Sequence, residues 1–513
     1  MGLDKATSAP AAASQASGKD RATEARRAAE TDARRLKRTP AEQGAWLAAA
    51  CAIGLYQLGI TLLNTAVFPL FNVVFLEARD LGSLFSATLS LALYALVSVR
   101  PQLCRPRLWM AAAAALYVIG VPAMLVGVWA GSPVLLTLGV LMRSVASTWF
   151  GTTICLQLTN LGMEQGARRT FGALCAGWAL SYALELATGL LSLTGQLAVF
   201  FVSALLVMAL SFRPSRGLVE HMAKSAPASE LRVTNPRSFL PVGSALFVTI
   251  VLLKASFGFA MTFASVDAAP QATVLACVPA LLVACALLAC NRVGLDSLYK
   301  AAMLSVLAGF LLVNPLISSM TGAPALANVM LRAGGDLTRM LAFMLVASLG
   351  ARNPMAAAGV SLFVGGANSL GSVAGAQLGI LANATLARDP ALFALLLAGV
   401  VFAFVAYNVL SPDVFNFDRA VREVETVKPV QEVEQAGATD SLAEAVSRAV
   451  SRFGLTPREA EALELLAHGR NTAAIQERMV VSRSTAKTHV RNVYAKLGVH
   501  SQQDLIDLVE GMK

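Results

Sequence analysis

The feature that most constrains this chain is the stretch from 45 to 410, where long apolar runs follow one another with almost no charge. It holds 19 Lys/Arg and 10 Asp/Glu in 366 residues. A spanning helix needs about 20 mostly apolar residues, because the hydrocarbon core leaves a backbone no partner but itself. Runs of that length predict twelve spans, at 45–65, 81–99, 108–130, 133–158, 170–192, 195–212, 238–260, 269–290, 301–319, 324–349, 355–382 and 390–410. The piece from Phe68 to Phe75 either extends the first span or lies at the interface. Overall, 56% of residues are hydrophobic and 14% charged, against roughly 45–50% and 25% in soluble domains. A disordered chain, a coiled coil and a disulfide-stapled mini-protein are excluded.

Loop charges test the count. The loops 100–107, 159–169, 213–237, 291–300 and 350–354 carry thirteen Lys/Arg, whereas the alternate loops carry only Arg79 and Arg388. Positive loops resist translocation, so the rich side is the cytoplasm and both termini lie there. The longest polar loop, 213–237, follows the sixth span and divides the zone 6 + 6. Leu141-Met142-Arg143-Ser144 in the fourth span and Met330-Leu331-Arg332-Ala333 in the tenth place an arginine at equivalent points of the two halves. This layout resembles the major facilitator superfamily, whose halves are parallel repeats. The Gly/Asp/Arg signature that superfamily usually carries between its second and third spans is missing, which argues against active transport.

Six ionisable residues fall inside spans: Arg143, Glu185, Lys254, Arg332, Asp336 and Arg339. Each costs several kcal/mol unless it is paired or functional. Asp336 stands four residues after Arg332 and three before Arg339, so the trio can partly neutralise itself. Arg143 has no partner on its own helix, and Glu185 is the expected one. Two uses remain open. The charges form register-fixing ion pairs, or they line a midplane cavity that receives an anionic or polar small molecule. Gly371, Gly375 and Gly379 recur every four residues and predict a close-packing helix face.

Outside the spans, the tail 1–44 has nine Lys/Arg, six Asp/Glu and almost no aliphatic residues, so disorder is expected, with at most a fraying helix over Thr23–Arg38. Residues 411–452 read as a polar cytoplasmic linker whose end, from Ser441, has helical spacing. No Cys or His group has metal-ligand spacing, and none of the four histidines lies in a span. No catalytic residue, metal or cofactor is expected, and an enzyme has little support.

Residues 453–513 carry the densest signal. Thr456-Pro457-Arg458-Glu459 is a capping-box helix start, and Gly469 ends that helix. A second short helix follows from about Thr472 to Met479. Ser482 caps a third that stops at Gly498, and Ser501 caps a fourth. Two helices joined by a tight turn form a helix-turn-helix. Between Arg478 and Val499 lie five cations and no acid. Lys487 and Arg491 are four residues apart, on one face that can enter a major groove. The bland alternative is a solvated helix face.

Leu455-Thr456-Pro457-Arg458-Glu459, Leu465-Leu466-Ala467-x-Gly469, Ile475, Ser482, Thr485, Lys487-Thr488-His489-Val490, Asn492 and Lys496-Leu497-Gly498-Val499 resemble the LuxR-type DNA-binding domain. The resemblance implies four helices, base contacts from Lys487, Thr488 and Arg491, and phosphate contacts from Ser482, Ser484, Thr485 and Lys496. It also implies a homodimer formed through the fourth helix. Arg483 stands where an acid is common and is expected to meet a phosphate too. Ala486 and Ala474 replace the usual Val and Glu.

The expected fold class is therefore all-α: a polytopic membrane helical bundle of twelve spans, then a small four-helix LuxR-type domain. The chain resembles membrane-embedded LuxR-family regulators of the bacterial inner membrane. The expected function is a one-component transcriptional regulator whose bundle senses a small molecule and whose partners are double-stranded DNA and the bilayer. The alternative is a major-facilitator-like transporter with an appended regulatory domain.

Overall fold

The computed structural model describes residues 39–75, 77–224, 245–262, 277–290, 293–313, 324–410, 417, 418, 421, 439–467, 469, 472–479, 481–499 and 501–511. The expected helix over Thr23–Arg38, and most of the expected tail, lie outside them. Among the described residues no strand occurs. The chain divides into two compact units, Met1–Lys428 and Pro429–Lys513.

Among the described residues the first unit holds twelve α-helices, one at each expected span. They are α1 Pro40–Leu62, α2 Ala78–Val99, α3 Pro106–Trp129, α4 Pro133–Gln165, α5 Ala167–Gly189 and α6 Leu193–Lys224. The second half contributes α7 Ala245–Thr262, α8 Cys277–Ala289, α9 Leu295–Val313, α10 Pro324–Arg352, α11 Ala357–Arg388 and α12 Pro390–Leu410. Prolines open several of these helices, where the missing N–H would have had no partner anyway. Thr39 and Glu42 close a capping box ahead of α1 (3.3 and 3.2 Å). Among the described residues eight helices are long and apolar enough to cross a membrane, α1 among them with its continuation to Val73. Of the other four, α7 and α8 are shorter apolar helices. The remaining two, α5 and α10, carry intramembrane charges.

The uncertain piece after α1 is a helical continuation. Leu63–Val67 winds as a π turn and Phe68–Val73 as a 3-10 helix. Pro69 sits there, and its ring cannot sustain an α-helical hydrogen bond. At the other end of the half, the sixth span runs well past its expected end at 212, to Lys224. Its extension carries an Arg216–Glu220 ion pair one turn apart (2.6 Å), and Asn160 donates to the Pro214 carbonyl.

Large side chains such as Ile119, Leu138, Leu282, Leu395 and Phe402 stay on the outer surface. Acyl chains are the solvent that suits such a face. Polar residues are gathered inside instead, where Ser144, Thr153, Ser181 and Asp336 are almost fully buried. Small residues set the closest approach between helices. A Cβ on Gly375 of α11 would run into the backbone of Ala255 of α7, and one on Gly258 of α7 would meet the Ser372 carbonyl of α11. The Gly371/Gly375 face is thus a contact between α11 and α7, and α11 also packs along α2.

The second unit contains α13 Thr439–Phe453, α14 Pro457–Ala467, α15 Thr472–Arg478, α16 Arg483–Leu497 and α17 Gln502–Glu510. They share one core that includes Ala445, Ala449, Leu463, Ile475, Val493 and Leu505. The helical end of the expected linker therefore belongs to this core, since α13 buries Ala445, Val446 and Ala449 in it. The folded unit starts ahead of 453.

Replacing Gly375 by Leu should lower the melting temperature of the detergent-solubilised protein, by an overpacking cost of about 1–3 kcal/mol. An unchanged thermal unfolding curve would contradict the α7–α11 contact.

Candidate nucleic-acid interface and intramembrane cavity

The surface of the second unit is organised by α16. Ser482 is its N-cap, accepting from the Thr485 N–H at 3.2 Å. The Ser482 hydroxyl also lies 2.8 Å from those of Ser484 and Thr485. At the other end Gly498 takes φ 69°, ψ 28°, a left-handed cap that a residue with a Cβ adopts only at a cost. Between these stops the helix has two faces. Ala486, Val493 and Leu497 are buried, while Lys487, Thr488 and Arg491 are exposed together. A groove of about 700 Å³ runs along them, lined also by Tyr494, Ala495 and Thr472. Thr488 has its hydroxyl tied to the Ser484 carbonyl at 2.9 Å, so its methyl is left to contact a partner. Arg483 is the first residue of α16. Ala486, one of the departures from the family pattern, is a core residue beneath the helix and not part of its outer face.

Lys496, the expected phosphate contact, has a partner for its ammonium inside the unit. Its Nζ donates to Glu459 Oε2 at 2.6 Å and to the Gly454 carbonyl at 3.0 Å. Glu459 also closes the capping box of α14, accepting from the Thr456 N–H at 2.9 Å. One nearly buried carboxylate thus joins the start of α14 to the end of α16. The Lys496 hydrogen bond, followed by that from Thr456, lowers the Glu459 carboxyl from the usual 4.5 to about 2. Sequence spacing alone could not show this clamp, because the two residues are far apart in the chain.

In the first unit, the six intramembrane ionisable residues are distributed unequally. Glu185 of α5 accepts from Arg332 of α10 at 3.2 Å. The expected Arg143–Glu185 pair is therefore replaced, since α5 packs on α10 and presents Glu185 there. Asp336 pairs with Arg339 at 3.7 Å, as its spacing suggested. It also accepts from Gln57 of α1 (3.3 Å) and from Tyr182 of α5 (3.2 Å). Gln57 in turn accepts from Arg339. Neither glutamine nor tyrosine stood out in the sequence, because uncharged polar residues in spans are common. Arg143 Nε and Lys254 Nζ are buried without a hydrogen-bond partner. The Lys254 ammonium lies 3.9 Å from the centre of the Phe257 ring.

Arg143, Lys254 and Arg339 come together on the wall of one cavity of about 310 Å³. Its walls are drawn from α1, α2, α4, α7, α10 and α11, hence from both halves of the bundle. Glu185 and Asp336 lie outside that wall, and Arg332 and Asp336 line a smaller recess beside Gln57.

Residues 454–509 match the family described as bacterial regulatory proteins, luxR family, so the chain carries a LuxR-type helix-turn-helix domain at its C-terminal end. Over 60 residues it is 43% identical to the uncharacterized response regulatory protein YgeK of Escherichia coli (strain K12). That match takes in 12% of this chain and spans 41% of the length of the relative. The chain is also similar to a bacterial homologue of the iron transporter ferroportin in an outward-facing state, at 12% identity and a TM-score of 0.42. That alignment covers 74% of this chain and 100% of the other. For the nucleoside transporter NupG the values are 16% and 0.40, with 72% and 99% covered.

The clamp predicts an acid limit for the C-terminal unit. Because Glu459 is lowered when folded, its stabilisation is complete above about pH 4.5 and is lost as the pH falls towards 2. Circular dichroism melts of the 429–513 fragment should show this loss. Glu459→Gln should melt lower at neutral pH and lack that part of the acid dependence. Equal acid sensitivity in the two proteins would contradict the clamp.

Proposed function

We propose that this protein is a membrane-tethered, one-component transcriptional regulator of the bacterial inner membrane, with both termini in the cytoplasm. The observation that carries the proposal is the joint exposure of Lys487, Thr488 and Arg491 on one face of α16, within a matched LuxR-type domain. In the major groove, Lys487 and Arg491 donate to guanine O6 and N7, and the Thr488 methyl meets thymine. Ser482, Arg483, Ser484 and Thr485 cluster at the N-terminus of α16, where the helix dipole and free N–H groups favour a phosphate. Lys496, whose ammonium is already paired with Glu459, adds a weaker contact to a phosphate. Dimerisation through α17 pairs two such helices on adjacent half-sites.

The bundle supplies the signal. A small molecule in the 310 Å³ cavity touches both halves, so it binds two arrangements of them unequally and shifts their populations. The exit from the last span offers a route outward. Asp418 accepts from the Leu295 N–H at 3.1 Å, and Asp296 accepts from the Phe417 N–H at 2.7 Å. The Phe417 ring packs on Tyr299, with centroids 5.2 Å apart. Movement of α9 would be passed through this clasp to the segment leading to the DNA-binding unit. A transporter with an appended regulatory domain would use the same cavity. Uptake of the inducing compound into liposomes would favour that reading.

Selection from random duplexes should yield an operator for the 429–513 fragment. Lys487→Ala and Arg491→Ala should each lower operator affinity about 10- to 100-fold with little change in thermal stability. Unchanged binding would remove α16 from the groove. In cells, Asp418→Ala in the full-length protein should leave operator binding intact and weaken the response of a reporter to inducer. A full response would remove the clasp from the signalling route.

A further inference from the structure

Burial and pairing in the bundle point to the kind of ligand. Four of the six intramembrane ionisable residues form two pairs, Glu185–Arg332 and Asp336–Arg339. Each pair is close to neutral. The remaining two are both cations, Arg143 and Lys254, and both line the same cavity. Lys254 is only 5% exposed, and neither its Nζ nor Arg143 Nε meets a hydrogen-bond acceptor. No carboxylate among the described residues lines the wall.

A pair of cations buried in this way is costly in a medium of low dielectric, and a bilayer-embedded site cannot relieve the cost with bulk water. The missing partner is a negative charge brought from outside. The rest of the lining fits the remainder of such a molecule. Ser90, Ser369 and Ser372 place hydroxyl groups on the wall, and Tyr56, Phe257 and Phe343 offer flat apolar surface. The volume, about 310 Å³, suits a molecule with one ring and a short substituent.

We infer that the cavity binds a small organic anion with an apolar, ring-sized body, whose acid group is held by Lys254 and Arg143. A neutral or cationic molecule of the same shape leaves the two cations without a counter-charge and binds poorly. The inference rests on the reading of the bundle as a ligand-responsive unit, and it names the ligand class.

The test uses the full-length protein in detergent micelles and three probes of one shape: benzoate, benzamide and benzylamine at millimolar concentration. Benzoate should raise the melting temperature by about 2 °C through mass action, and the other two should not. Lys254→Arg should keep the response, whereas Lys254→Met and Arg143→Met should lose it. Lys254→Met should melt at or above the wild-type temperature without probe, because an unpaired buried charge has been removed. Equal stabilisation by all three probes, a preference for benzylamine, or no response to benzoate overturns the inference. A Lys254→Met protein that melts lower and still responds to benzoate does so too. The readout contains no DNA, so a failure here is distinct from failure of the regulator reading, which would appear as unchanged operator binding in Lys487→Ala.

Discussion

Water is absent from the hydrocarbon core, and the membrane unit follows from that. Backbone groups there bond within their own helices, and each charged side chain needs a counter-charge or a polar cage. Asp336 meets that demand most fully. Arg339 is its ion-pair partner, while Gln57 and Tyr182 donate to its two oxygens. These contacts tie α1 and α5 of the first half to α10 of the second. Glu185 and Arg332 add a second tie between the halves. These buried charges therefore sit where the halves meet, and large apolar side chains are turned outward.

The C-terminal unit works under the opposite condition. In water, short helices are marginal, and both their ends and their packing must be provided for. Caps at Thr456, Ser482 and Ser501 answer the first need, and a shared core that includes α13 answers the second. The Glu459–Lys496 contact then fixes the end of α16 against the start of α14. A helix held at both ends and along its inner face presents its outer residues as a rigid set. That rigidity is what direct readout of base edges requires.

Much of the helical plan was legible in the chain. Twelve apolar runs correspond to twelve helices, because span length is set by bilayer thickness and apolar content is a local property. Cap and turn chemistry located α14 to α17 for the same reason, since Thr456, Ser482, Gly498 and Ser501 act within a few residues of themselves. The less legible elements were those governed by distant partners. Lys496 has Glu459 beside it only because α14 and α16 pack together, and α13, at the end of the polar linker, is covered by the C-terminal core.

Sequence by itself determined that this is an all-helical membrane chain with a basic, well-capped helix in its C-terminal helix-turn-helix unit. Periodicity, composition and capping are short-range, and physical chemistry reads them one turn at a time. The pairing of buried charges between helices was decided by tertiary structure. Spacing along one helix could suggest Asp336–Arg339, but only the packing of α5 on α10 gives Glu185 to Arg332 and leaves Arg143 and Lys254 in a common cavity. Electrostatic partnership depends on distance through space, and residues more than a hundred positions apart acquire that distance only when the helices pack.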